Sequence, residues 1–135
     1  MQPTVIHVRG YHLDGYGHVN NARYLEFLEE SRWDYFEQHD LLSLLGDIQM
    51  VVARVDIQYR RSATFGDKLH IHNHIKMLDA RQLVLQQHIV FAHNQKTVAS
   101  ADVSLVAVCH KRGTTLPPSL IQQLNTLLSQ SCFNT

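Results

Sequence analysis

A short polar run near the amino terminus has the residue types and spacing that chemistry at a carbonyl group requires. Asp14 stands beside a glycine, His18 follows four residues later, and Asn20 and Asn21 precede a long amphipathic stretch. The asparagine side-chain oxygen accepts hydrogen bonds from the unpaired N–H groups of a first helical turn, so we predict a helix that begins at about Ala22. Its positive end would face the loop that carries Asp14. A carboxylate beside free N–H donors can attack a carbonyl compound or activate water to do so.

The same run also has a purely structural explanation. Asp14 would then only accept backbone N–H bonds inside a glycine turn, and the asparagines would only cap the helix. His18 is either a partner of the reacting groups or a residue that packs against the helix start. The helix carboxylates are best explained as a solvated or ion-paired face; they are Glu26, Glu29 and Glu30.

Length and composition exclude several classes of protein. A chain of 135 residues has room for one hydrophobic core, so we expect a single domain over residues 1–135. Lys plus Arg equals Asp plus Glu at 12 each, and this neutral balance argues against a nucleic-acid partner or a membrane-surface protein. No stretch reaches transmembrane length or has the pattern of a signal peptide. Cys109 and Cys132 are expected to be reduced thiols in a cytoplasmic protein.

The hydrophobic periodicity predicts one strand, one long helix, four long strands and a short final helix. The predicted ranges are 4–9, 22–39, 51–59, 69–76, 83–91, 98–109 and 119–129. Short turns between long strands predict an antiparallel meander, in which the strand 51–59 is half-buried. A sheet around one very apolar helix is the hotdog architecture, an α+β fold. Dimerisation that continues the sheet would cover its edge strand.

The run from Asp14 to Tyr24 resembles the signature of hotdog thioesterases related to 4-hydroxybenzoyl-CoA thioesterase. The chain is more similar still to bacterial long-chain acyl-CoA thioesterases of the FadM type, through residues 9–14, 18–30 and 59–61. The resemblance extends over about the whole chain and is strongest before Met77. It supports the hotdog fold and implies hydrolysis of a thioester.

The resemblance also implies roles for individual residues. Asp14 would be the catalytic aspartate, acting as general base on water or as nucleophile, and the N–H near Asn21 would polarise the thioester carbonyl. His18 is a third candidate at the catalytic centre. Many relatives carry an acidic residue two positions before the aspartate, where this chain has His12. His12 would then tune the charge on Asp14 and the pH profile.

Substrate binding is assigned to Tyr24, Arg60 and Arg61. The arginine fork suits the phosphates of coenzyme A, although two arginines at a strand end can also be edge charges that discourage pairing between sheets. The acyl chain would need an apolar slot, for which Phe27, Leu28 and Val51 are candidates. Alternate histidines at 70, 72 and 74 have a spacing that can bind a metal. Because no carboxylate or cysteine partner is evident, we expect a solvent-exposed strand face, with no metal and no cofactor.

These observations predict an acyl-CoA thioesterase that releases a fatty acid, of long chain by the resemblance, and coenzyme A. One alternative is a non-catalytic acyl-thioester binding protein on the same scaffold. Another is an acyl-carrier-protein thioesterase, which would need a docking patch for an acidic partner that the neutral charge balance does not offer. The expected partners are acyl-CoA and further copies of the chain, as a homodimer or homotetramer. We expect no nucleic-acid partner.

Overall fold

The computed structural model describes residues 2–133, without the side chains of 131–133. Its elements are β1 (Thr4–His7), α1 (Asn21–Gln38), β2 (Gln49–Tyr59), β3 (Lys68–Leu78), β4 (Gln82–Phe91), β5 (Thr97–Cys109), β6 (Arg112–Gly113) and α2 (Pro118–Phe133). Single 3-10 turns lie at Gly10–His12 and Leu42–Leu44. All the predicted elements are present, with ends that differ by a few residues, and β6 was not predicted. Cys109 is a free thiol, whereas the prediction for Cys132 lies outside the described side chains.

The order of strands in the sheet is β1-β3-β4-β5-β2, with β6 on β5. The simple meander is therefore wrong for β2, which lies at the edge beside β5 and not beside β3. Arg60 and Arg61, directly after β2, both donate their backbone N–H to the oxygen of Val98, at 2.8 and 3.0 Å. The eight residues that separate β2 from β3 carry the chain away from a hairpin, whereas only three residues join β3 to β4.

The prediction that β2 is half-buried is also wrong. Nine of its eleven residues are exposed and the other two are intermediate. Its alternating sequence describes two faces, but within the described chain neither face is covered and only one strand edge is paired. By contrast, β3 alternates as predicted, with Leu69, Ile71 and Ile75 buried. A long apolar edge strand of this kind is normally protected by a partner.

Backbone contacts divide the chain into two compact units, and α1 and strands β2 to β5 each contribute residues to both. The first unit comprises the described residues up to 35, together with 57–73 and 87–101. Its buried apolar residues include Ile6, Val8, Tyr24, Phe27, Leu28, Leu69, Ile71, Ile89 and Val98. The second comprises 36–56, 74–86 and the residues from 102 onward. Its buried apolar residues include Phe36, Leu41, Ile75, Leu83, Leu85, Val103, Leu105, Leu116, Leu120 and Leu124.

A single domain over residues 1–135 stays a prediction. Among the described residues, no helix combines the length and the apolar character needed to cross a membrane.

Candidate active site

The loop that carries Asp14 is closed by its own backbone. The N–H of Asp14 donates to the oxygen of His18 at 2.8 Å, and Gly17 donates back to the oxygen of Asp14 at 3.1 Å. Gly17 has φ +78°, a conformation that glycine adopts without strain. The N–H of Val19 donates to the oxygen of Ala63 at 2.9 Å. This bond ties the end of the loop to the turn between β2 and β3.

The carboxylate of Asp14 is exposed, and hydrogen bonds from the described chain reach one of its two oxygens. Its Oδ1 accepts the N–H of Tyr16 at 2.8 Å and that of His18 at 3.3 Å. For Oδ2 the described chain contains no partner, so this oxygen is available to a water or a substrate. The two bonds to Oδ1 are those of the structural explanation, and they also hold the carboxylate in one orientation. The side chain of His18 is exposed beside it.

Helix α1 begins at Asn21, one residue earlier than predicted. Asn20 is its cap, because its Oδ1 accepts the N–H of Ala22 at 3.0 Å and its main-chain oxygen accepts the N–H of Arg23 at 2.8 Å. The N–H groups of Ala22 and Arg23 therefore have acceptors, whereas that of Asn21 has none among the described residues. An unpaired N–H at the positive end of a helix is suited to bind a carbonyl oxygen that gains negative charge.

Two tyrosine hydroxyls connect the start of α1 to the chain around the end of β2. Tyr24 is 2% exposed, and its hydroxyl oxygen accepts the N–H of Ala63 at 3.1 Å. Burial is the main cause that raises the pKa of Tyr24, and the nearby carboxylates of Asp67 and Asp14 add to it. The hydroxyl of Tyr59 donates to the oxygen of Asn21 at 3.4 Å. The first contact connects the turn that follows β2 to the first turn of the helix, and the second connects the last residue of β2 to it.

Arg60 and Arg61 form a bulge at the end of β2, since two successive N–H groups share one acceptor on β5. Both side chains are exposed. Arg60 donates to Oε1 of Gln58 at 2.7 Å, and Arg61 donates to the oxygen of Thr97 at 2.8 Å. A guanidinium has five N–H donors, so each arginine keeps further donors for an anion.

The sequence matches the family model of the thioesterase-like superfamily over residues 8–124. It is also 44% identical over 107 residues to the long-chain acyl-CoA thioesterase FadM of Escherichia coli K12, covering 78% of this chain and 81% of that protein. The chain belongs to the thioesterase-like superfamily. The prediction of a thioester hydrolase is thereby confirmed at the level of the family.

Solved structures agree with this assignment. The probable thioesterase YbaW of E. coli is 38% identical and superposes with a TM-score of 0.85, over 95% of this chain and 99% of that one. A thioesterase of Thermus thermophilus, complexed with coenzyme A and Zn, is 28% identical with a TM-score of 0.82, over 95% of each chain. The predicted α+β hotdog fold is confirmed.

His12 in this thioesterase lines a groove of about 350 Å³ beside β1 and α1. Its Nδ1 accepts the N–H of Arg9 at 2.9 Å, and its ring meets that of Phe27 edge-on at 5.0 Å. Burial, with the positive charges of Arg23 and Arg9, lowers the pKa of His12 against the opposing effect of Glu26 and of another helix carboxylate. The neutral imidazole is therefore the favoured form, because a protonated Nδ1 could not accept that hydrogen bond.

Of the alternate histidines of β3, only His74 is exposed as predicted, whereas His70 and His72 are intermediate. The described residues contain no group of three or more His, Cys, Asp or Glu side chains arranged to hold a metal ion.

The loop between β1 and α1 and the turn after β2 bring the predicted site residues of this thioesterase into one unit. Asp14, His18 and Asn21 lie on the loop and the helix start, with Tyr24 buried directly beneath. The sequence analysis missed two polar residues, Asn73 and Gln87, which occupy the apolar faces of β3 and β4. The signal was available, since each interrupts a run of alternate aliphatic residues.

Proposed function

We propose that this protein hydrolyses long-chain acyl-CoA thioesters to a fatty acid and coenzyme A. The observation that carries the proposal is that the N–H of Asn20 donates to the oxygen of His12 at 2.9 Å, which holds the loop of Asp14 against the helix start. Asp14 there has one carboxylate oxygen without a partner in the described chain, and the N–H of Asn21 has no acceptor in it. The identity to FadM, a long-chain acyl-CoA thioesterase, supports the substrate class. The related T. thermophilus thioesterase, complexed with coenzyme A, supports the thiol component.

In this proposal Asp14 supplies the attack and Asn21 stabilises the product of the attack. Asp14 either removes a proton from a water molecule that attacks the thioester carbon or attacks that carbon itself. The N–H of Asn21 binds the carbonyl oxygen as it becomes negative. The C–S bond then breaks, and a strong general acid is less necessary because a thiolate is a good leaving group. The backbone N–H of His18 donates to Oδ1 of Asp14 at 3.3 Å, so His18 is a positioning residue in this scheme.

The phosphates of coenzyme A are assigned to Arg60 and Arg61. Their exposed guanidinium groups adjoin the strand end from which Tyr59 reaches the first turn of α1. Tyr24 would form the floor beneath the thioester. Replacing either arginine by glutamine should raise KM for acyl-CoA about tenfold, because each charge-assisted bond contributes about 1.5 kcal/mol. The same variants should leave KM unchanged for an acyl-N-acetylcysteamine thioester, which has no phosphates. Equal effects on both substrates would contradict the assignment.

Self-association through β2 is part of the proposal, as a homodimer or as a homotetramer built from dimers. The strand is an unpaired edge with exposed Val51, Val52 and Val55, each about two-fifths exposed, and pairing with a second copy would cover it. Sedimentation velocity should give at least twice the 15.5 kDa mass of one chain. A Val52→Lys, Val55→Lys variant should sediment as a monomer. A monomeric unaltered protein would refute this part.

The decisive experiment is an acyl-CoA panel from acetyl to stearoyl, followed by release of free thiol. We expect turnover that is highest for long chains and much slower when the same acyl groups are carried by acyl-carrier protein. Near-zero rates across the panel, together with saturable acyl-CoA binding by calorimetry, would favour the non-catalytic binding protein. Faster hydrolysis of acyl-carrier-protein thioesters than of acyl-CoA would favour the third candidate.

A further inference from the structure

Polar side chains that the proposed reaction does not use join the middle of α1 to β3 and β4, and all but the partly exposed Arg32 are buried. Oε1 of Gln87 accepts a hydrogen bond from Nη1 of Arg32 at 3.2 Å. Its Nε2 donates to the main-chain oxygen of Leu28 at 3.0 Å and to Oδ1 of Asn73 at 2.7 Å. Asn73 donates in turn to Oγ of Ser31 at 2.8 Å. We call the side chains of Ser31, Arg32, Asn73 and Gln87 the buried polar network.

The chemistry of the groups fixes the direction of the network. A guanidinium only donates, so Gln87 must turn its oxygen to Arg32 and its NH₂ to α1. Gln87 and Ser31 have no exposed surface, and Asn73 is 9% exposed. In the described chain every buried side-chain nitrogen and oxygen has a partner. A fully satisfied network in a low-dielectric interior is rigid, because any displacement leaves a buried group unpaired.

The need to fix the position of α1 explains these buried polar groups better than a gain in stability does. Aliphatic side chains of similar volume commonly replace buried polar networks with neutral or favourable effects on stability. The sheet-facing side of α1 is otherwise apolar, through Tyr24, Phe27 and Tyr35. Apolar burial is non-directional and defines the axial position of a helix loosely, whereas a hydrogen bond to the oxygen of Leu28 is directional. Leu28 lies seven residues after Asn21, which is about 10 Å along a stiff helix.

We infer that Arg32, Gln87 and Asn73 are positioning residues that set the axial register of α1, and with it the distance between the Asn21 N–H and Asp14. This inference rests on the proposed function, in which that N–H binds the developing oxyanion. A misplacement of about 1 Å reduces the rate of a positioned reaction by up to about a hundredfold. The buried polar network therefore acts on kcat, and acts little on KM or on unfolding.

The test replaces the network with apolar side chains in one variant, Arg32→Met, Asn73→Leu, Gln87→Leu. Ser31 then satisfies its hydroxyl on a preceding carbonyl of its own helix. We expect the unfolding temperature to stay within about 3 °C or rise, KM for palmitoyl-CoA to stay within about twofold, and kcat to fall at least about tenfold. The control is Thr4→Val, which removes a 2.7 Å bond from β1 to Asp34 on the same helix. It should leave kcat within about twofold, because it does not engage a helix carbonyl.

A second variant covers the possibility that the triple replacement does not fold. Gln87→Glu keeps an acceptor for Arg32 but replaces the donor to Leu28 by an oxygen, and it should show the same loss of kcat. Hydrogen exchange of the amides at the start of α1 gives a readout besides activity. Exchange there should accelerate in both network variants and stay unchanged in Thr4→Val.

Two results would overturn the inference. One is a triple variant with the kcat of the unaltered protein; the other is a loss of kcat no larger than the loss of folded protein. If the unaltered protein hydrolysed no acyl-CoA, the proposed function would fail. The exchange comparison would then still decide whether the network positions the helix start, since unchanged exchange in both network variants would refute it.

Discussion

The polar groups at the start of α1 and those at its middle, all in the first unit, are held in opposite ways. At the helix start, the bonds of Asp14 and Asn20 join residues two to four positions apart and are exposed. In the middle, the bonds of Gln87 and Asn73 join residues 14 to 59 positions apart, and most are buried. Reacting groups must remain accessible to water and substrate, so their precision has to come from elsewhere. In the proposed function the exposed helix start would supply the chemistry, and in our inference the buried middle would supply its reference position.

The largest expected effect separates catalysis from turn capping. Asp14→Asn should lower kcat for palmitoyl-CoA on the order of a thousandfold and leave the fold intact, because the amide oxygen can still accept backbone N–H bonds but is a poor base. Asp67→Asn is the matched control, since Asp67 accepts the N–H of Thr64 at 2.8 Å in a similar turn. Its kcat should stay within about twofold of the unaltered value. Equal kcat for Asp14→Asn and the unaltered protein would leave only the capping role.

A smaller effect, on stability, tests the hydrogen bonds of the two tyrosines at the start of α1. Tyr24→Phe leaves the buried N–H of Ala63 without an acceptor and should lower the free energy of unfolding by about 1–3 kcal/mol. Tyr59→Phe loses a longer bond on an exposed residue and should lower it by less than about 1 kcal/mol. Urea denaturation measures both. Equal losses would mean that burial of the tyrosine hydroxyl does not matter here.

The helix cap gives a comparable but more local effect. Asn20→Ala removes the acceptor for the N–H of Ala22 and should destabilise the protein by about 1 kcal/mol. Asn20→Asp keeps a side-chain oxygen at the positive helix end and should restore stability. Thermal unfolding of the three proteins distinguishes these outcomes. An Asn20→Asp variant as unstable as Asn20→Ala would show that Asn20 acts through contacts other than the cap.

The smallest effect concerns pH. The pKa of His12 is lowered in the folded protein, so the unfolded chain takes up its proton first as the pH falls. The contribution of neutral His12 to stability is thus complete above the unfolded pKa of about 6.5 and is lost as the pH falls through and below that value. Between pH 7.5 and pH 5 the unfolding temperature should therefore fall less for His12→Gln than for the unaltered protein. A parallel fall in both would contradict this reasoning.

Local sequence patterns predicted most of the fold and the local structure around the candidate residues Asp14 and Asn20. The cap at Asn20, the glycine turn around Asp14 and the alternation in β3 involve near neighbours, and their physical preferences are readable from a few residues. The predicted place of β2 in the sheet was wrong because alternation specifies which residues share a face but does not specify which strand is the neighbour. Asn73 and Gln87 were missed because their role depends on partners from distant parts of the chain.

The amino-acid sequence by itself determined the elements, the exposed loop of Asp14 and, to within one residue, the start of α1, because short-range hydrogen bonding and periodicity act within a few residues. Only the tertiary structure decided that β2 pairs with β5 and that Gln87 reaches the oxygen of Leu28. Those contacts link residues 37 to 59 positions apart, and only chain packing brings such groups together. Burial then makes their hydrogen bonds directional constraints, which a local pattern cannot encode.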